Sequence, residues 1–205
     1  MTTVLDFDPT TSALVPMDSQ NYGLHPDGYW ARQGLPEFPS GAYPAIVNLA
    51  RLLTAARASG LLVVHVRAAW RPGSPEMNMA VPVFARGPDR AVEGTWDADF
   101  YEPVAPKEDE IVVTKRGIGA FTGTELDRLL RLRGIDTVIL CGIATNWVVE
   151  ATAMDAADLG YRVIVPEDCS ASIAADMHLF AIEKVLPDIA TIATADDLIA
   201  SLEAP

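Results

Sequence analysis

The sequence predicts an α/β fold with three layers, in which helices cover both faces of a six-stranded, mostly parallel, Rossmann-like sheet. Two observations carry that prediction. Short apolar runs alternate along the chain with longer stretches whose apolar residues recur every three or four positions. The short runs are also β-branched and continuous rather than alternating, which is how a strand buried on both faces reads.

The first strand-like run is Ala13–Met17. Residues 44–59 follow as a helix, with Ile46, Leu49, Leu52 and Leu53 on one face and a stop at Gly60. The second run is Leu61–Val66 and the third Ile111–Thr114. Between them lies 68–110, rich in proline, glycine and aromatics; a connection that long is expected to carry function or short structure of its own. Residues 124–133 repeat the helical spacing through Leu126, Leu129 and Leu130 and end at Gly134. The remaining runs are Thr137–Cys141, Arg162–Val165 and Ala190–Ala193. Helices are expected over 146–159, ending at Gly160, over 176–185, ending before Pro187, and over 195–202. There is no internal repeat or low-complexity tract, and 205 residues suit one domain over 1–205.

The formal net charge of −13 argues against nucleic acid or an anionic membrane as partner, since both need clustered Lys and Arg. No apolar run has the length of a membrane span, and residues 1–8 lack the basic-then-apolar pattern of a signal peptide. The two cysteines, Cys141 and Cys169, have no metal-binding spacing and read as reduced, buried thiols of a cytoplasmic protein.

In open parallel sheets ligands bind beyond the carboxyl ends of the strands. Asp18 follows the first run, Arg67, Trp70 and Arg71 the second, and Lys115 the third. The fourth leads into CGIATNWVVEAT, a tight turn feeding a helix. An acid, a base and a helix start are thus expected to converge on one cleft, where free backbone N–H groups suit a developing negative charge.

Asp18 with Gln20, Lys115 ahead of Ala120-Phe121-x-Gly123-Thr124, and Gly142-Ile143-Ala144-Thr145-Asn146 leading to Glu150 and Thr152 together resemble the isochorismatase-like (cysteine hydrolase) superfamily. The resemblance runs from about Ala13 to Leu202. It implies the same six-stranded fold, usually assembled as homodimers or homotetramers. Most members use an Asp–Lys–Cys triad, whose Asp matches Asp18 and whose Lys matches Lys115. The thiol position is occupied here by Val148, which closes a thioester route at that position. The resemblance also implies a cis peptide at Ile143–Ala144, with the Ala144 and Val148 N–H groups as an oxyanion hole. Metal-dependent members carry an Asp and two His after the second strand; the matching stretch here is His65-Val66-Arg67-Ala68-Ala69-Trp70, so no metal and no other cofactor is expected. Gln20, Arg67, Trp96, Phe121 and Trp147 are the residues expected to contact substrate, Trp147 foremost because it precedes Val148.

The expected activity is hydrolysis of an amide, carbamoyl or vinyl-ether bond in a small molecule through Asp18 and Lys115, without a covalent intermediate. Two alternatives stand beside it. One is a catalytically silent binding or assembly protein on the same fold. The other is a lyase or isomerase using the same pair for proton transfer.

Overall fold

The computed structural model describes residues 3–34, 37–87 and 90–204. Its centre is a six-stranded sheet in the order β3-β2-β1-β4-β5-β6. The strands are β1 Ser12–Met17, β2 Leu62–Ala68, β3 Ile111–Lys115, β4 Thr137–Gly142, β5 Arg162–Pro166 and β6 Thr191–Ala193. Every neighbouring pair is parallel, so the sheet is wholly parallel where the sequence promised mostly so.

Side chains of the central strands alternate between two cores. Ala13, Val15 and Met17 of β1 face one layer with Val138 and Leu140 of β4. There they meet α5 (Leu126–Leu132) and α6 (Glu150–Asp158) through Leu126, Leu130, Ala153 and Ala156. Leu14, Ile139 and Ile164 face the other layer, packing on α3 (Glu37–Ser59) and α8 (Ala195–Glu203) through Leu49, Leu52, Leu53 and Leu198. Each such leucine contributes about 1.5–3 kcal/mol by leaving water. This two-sided burial is why the strands read as continuous apolar runs.

Three helices depart from the boundaries predicted above. α3 begins before Pro44 and carries the proline inside it, because a missing N–H costs one bond that a 23-residue helix can spare. The stretch 146–159 opens with a wide turn, Thr145–Val149, in which the Ala144 carbonyl accepts from the N–H of Trp147 (3.2 Å) and Val149 (3.4 Å), before α6 continues it. Likewise α7 (Ala175–Phe180) gives way to a wide turn over Ala181–Val185.

The long connection after β2 has its own short elements, α4 (Pro82–Ala85) and single turns at Trp96–Ala98 and Glu102–Val104. With α1 (Asn21–Leu24) and α2 (Tyr29–Arg32) it forms a third apolar cluster around Tyr22, Trp70, Met77 and Phe84. This cluster lies beyond the carboxyl ends of the strands and walls the cleft described below. No helix among the described residues is long and apolar enough to cross a membrane.

Candidate active site

Strand order reverses between β1 and β4, the switch point where doubly wound sheets bind ligands. The register brings the relevant strand ends level. Met17 pairs with Val66 on one side and Gly142 on the other, and Lys115 pairs with Ala68. Asp18 and Ile143 therefore leave the sheet side by side.

The exit is tight. Gly142 has φ +144, and a Cβ there would come within 2.1 Å of the Met17 carbonyl oxygen, so glycine is required. Asp18 adopts φ 56, a left-handed conformation uncommon outside glycine. Its N–H donates to Val66 (2.9 Å) and its carbonyl accepts from Gln20 (2.9 Å), which hold the bend in place.

Lys115 Nζ lies 3.0 Å from Asp18 Oδ2 and donates to the carbonyls of Gly117 (2.9 Å) and Ile118 (2.9 Å). Its three donors thus have three acceptors. Asp18 is 6% and Lys115 3% exposed. Asp18 Oδ1, in contrast, is buried with no hydrogen-bond partner among the described residues. Burial pushes the Asp18 carboxyl above the ordinary aspartate range, and the opposing pull of Lys115 does not cancel that.

These two groups open on a small cleft of about 50 Å³. Ile143, Ala144, Trp147 and Val148 form one wall, and Tyr22, Trp30, Phe84 and Arg90 the other. The Ile143–Ala144 peptide is cis. The turn that follows is fastened by the Thr145 N–H to Ala171 (2.9 Å), by Thr145 Oγ1 and His178 Nδ1 at 2.8 Å, and by Ser172 Oγ donating to Asn146 Oδ1.

Of the residues expected to contact substrate, Trp147 lines the cleft and the other four are placed elsewhere. The Gln20 amide is spent as a brace, accepting from Ala68 N–H (2.9 Å) and donating to the Ala68 (2.9 Å) and Ala98 (2.8 Å) carbonyls. Arg67 Nε donates to Thr114 Oγ1 (3.1 Å) across the β2–β3 pair. Phe121 is buried and stacks on Tyr161 at 5.7 Å. Trp96 is 46% exposed and packs edge-on against His25. Arg71 pairs with Glu76 (3.5 Å).

Cys141 and Cys169 are buried in the layer that packs on α3 and α8, whereas Val148 belongs to the opposite one. Burial raises both thiols well above the ordinary cysteine range. His65 is fully buried, with Nε2 3.1 Å from Glu110 Oε2, and Glu110 is clamped by Arg57 at 2.8 Å. Among the described residues no three His, Cys, Asp or Glu side chains cluster to hold a metal ion.

Sequence reasoning missed Arg90. It is 5% exposed and lies 5.5–5.7 Å from the ring centres of Trp30, Trp70 and Phe84. The stretch 68–110 was expected to be functional, but a lone arginine within it has no spacing that singles it out.

A doubly wound parallel sheet with a buried acid–base pair at its switch point defines an α/β protein of the isochorismatase-like hydrolase fold. The pattern that defines the isochorismatase domain matches residues 12–197, and the chain belongs to the isochorismatase family. It is 34% identical over 204 residues to the uncharacterized isochorismatase family protein YecD of Escherichia coli O157:H7, covering 97% of this chain and all of that protein. An isochorismatase family protein of Burkholderia thailandensis matches at 32% identity over 100% of both chains, with a TM-score of 0.78. The N-carbamoylsarcosine amidase of Thermoplasma acidophilum matches at 29% identity over 91% of this chain and 97% of its own, with a TM-score of 0.73.

Proposed function

We propose that residues 1–205 form one catalytic domain that hydrolyses an amide, carbamoyl or vinyl-ether bond of a small organic molecule by acid–base catalysis, with no thioester intermediate. One observation carries this reading. The Asp18 carboxyl is held at one oxygen by Lys115 and, among the described residues, left unpartnered at the other, in a cleft lined by Val148, the residue that the family resemblance matches to the thiol.

On a vinyl ether, Asp18 delivers a proton to the vinyl carbon. Water then adds to the resulting oxocarbenium carbon, the carbon–oxygen bond of the hemiketal breaks, and Asp18 recovers a proton. Burial shifts the Asp18 pKa in the direction this role needs. On an amide or carbamoyl group, Asp18 first takes a proton from water as the oxygen adds to the carbonyl carbon. The Ala144 and Val148 N–H groups receive the oxyanion, and Asp18 returns the proton to the departing nitrogen. Lys115 holds the carboxyl in line and offsets its charge in either case. The name of the Thermoplasma acidophilum neighbour supports the amide branch. Neither route calls on a metal or other cofactor.

Asp18→Asn is expected to lower turnover by about 10²–10⁴-fold while the far-ultraviolet spectrum and melting curve stay native-like. Undiminished turnover in that variant would end the proposal. The pH profile separates the branches. An acid role loses activity as pH rises through the Asp18 pKa, and a base role loses it as pH falls through the same value.

Val148 alone also favours a silent binding protein, for which no hydrolysis of any member of such a substrate set is expected. A lyase or isomerase differs from a hydrolase in labelled water, since a hydrolase must place solvent oxygen in its product. Exposed Met177, Leu179 and Phe180 on α7 supply an apolar surface for the self-association that the family resemblance implies.

A further inference from the structure

We infer that Arg90 recognises a carboxylate, so that the cleft takes a monoanionic substrate with an apolar body; this rests on reading the cleft as the substrate site. Arg90 is 5% exposed, yet among the described residues no carboxylate lies within ion-pairing distance of it. Its Nη1 donates to the carbonyls of Val83 (2.8 Å) and Gly87 (3.2 Å), and its face is covered by three aromatic rings. Among the described residues the other guanidinium N–H groups have no acceptor. A guanidinium keeps its proton in proteins, so it does not escape the cost of burial by becoming neutral. With Asp18 ionised, it and Lys115 cancel each other's charge, which leaves Arg90 as one positive charge in excess among the described residues of the cleft wall. A ligand bearing one negative charge completes that balance.

The position is built rather than incidental. A Cβ at Gly87 would lie 2.8 Å from Arg90 Nη1 and 3.1 Å from the Tyr29 hydroxyl, so the guanidinium in this position packs directly on the glycine. Ala91 takes φ 50, a left-handed conformation that an alanine adopts only when its surroundings impose it. They do so here: the Trp70 N–H donates to Ala91 (3.0 Å) and the Glu93 N–H to Trp70 (2.8 Å), tying the arginine loop to the end of β2. Across the cleft, Ile118, Ile143, Trp147 and Ile173 are apolar. A planar carboxylate on the arginine fork and an apolar body against this wall match those two halves.

The test is equilibrium binding of benzoate, phenylacetate and hexanoate against their amides, read by the fluorescence of Trp30, Trp70 and Trp147, which border the cleft. At least one carboxylate is expected to bind about tenfold or more tightly than its amide, the difference a charge-assisted hydrogen bond supplies. Arg90→Gln is expected to remove that preference, weakening the carboxylates about tenfold or more relative to their amides. Equal or weaker binding of every carboxylate relative to its amide overturns the inference, as does an undiminished preference in Arg90→Gln. Should that variant not fold, the wild-type preference alone decides. Asp18→Asn separates the two readings, since it is expected to lose turnover yet bind the carboxylate at least as well. Surviving turnover there contradicts the mechanism only, and a missing carboxylate preference contradicts the Arg90 assignment only.

Discussion

Asp18 combines a left-handed backbone with a buried carboxyl, two features that each cost stability, and its ion pair with Lys115 offsets part of the second. His65 is also buried, at the opposite end of the β2–β3 pair from Lys115, and has a different consequence. Burial lowers its pKa to about 4 against the pull of Glu110. Burial opposes ionisation of Glu110 too, but the hydrogen bonds from Arg57 and the Lys107 N–H, together with the charges of Arg57 and His65, outweigh it and hold that carboxyl at about 2. Between pH 6.5 and 4 the unfolded chain binds a proton that folded His65 refuses, so stability falls with pH across that window by up to about 3 kcal/mol. Below that, Glu110 extends the loss in the same direction. Urea melts at stepped pH should show the decline, and His65→Gln should flatten it between pH 6.5 and 4. A slope unchanged in that variant would assign the acid lability to other groups. Placement was legible in the sequence where chemistry and position coincide, as at Asp18 and Lys115, each the first charged group at a strand end. It was not legible for Gln20, Arg67, Trp96 and Phe121, because residue type does not say which neighbour a side chain meets. Backbone groups claimed Gln20, and a stacking ring claimed Phe121.

Among elements, the turn from Gly142 to Val149 supplies Ile143, Ala144, Trp147 and Val148 to the cleft. Its sequence reads as the start of an ordinary helix, since a wide turn and an α-turn place apolar residues at nearly the same spacing. Only the double acceptance at the Ala144 carbonyl distinguishes them. Proline 44 misled in the opposite sense, marking a start where the helix merely passes through. The stretch 68–110 was expected to carry function, and it supplies Trp70, Phe84 and Arg90 to the cleft. The turn's geometry predicts that Val148→Cys places a thiol in the cleft beside Lys115. Iodoacetamide should label that cysteine about tenfold or more faster than Cys141 or Cys169, whose burial keeps them protonated. Labelling no faster than the native pair would mean that the 148 side chain does not reach the cleft.

For the molecule as a whole, strand order decides where chemistry occurs. All six strands were legible because burial on both faces leaves no polar alternation to confuse them. The cleft at the β1–β4 switch point follows from topology once that order is known. What topology leaves open is whether the chemistry passes through a thiol. We propose that it does not: the family resemblance matches Val148 to the thiol position, and both cysteines lie in the layer that packs on α3 and α8. The most direct measurement is kcat/KM of the cysteine-free variant, Cys141→Ser with Cys169→Ser, on any substrate the wild-type protein hydrolyses. Catalysis within a few-fold of wild type is predicted for a natively folded variant. Loss of turnover in that folded protein would contradict the account and return the reaction to a covalent route.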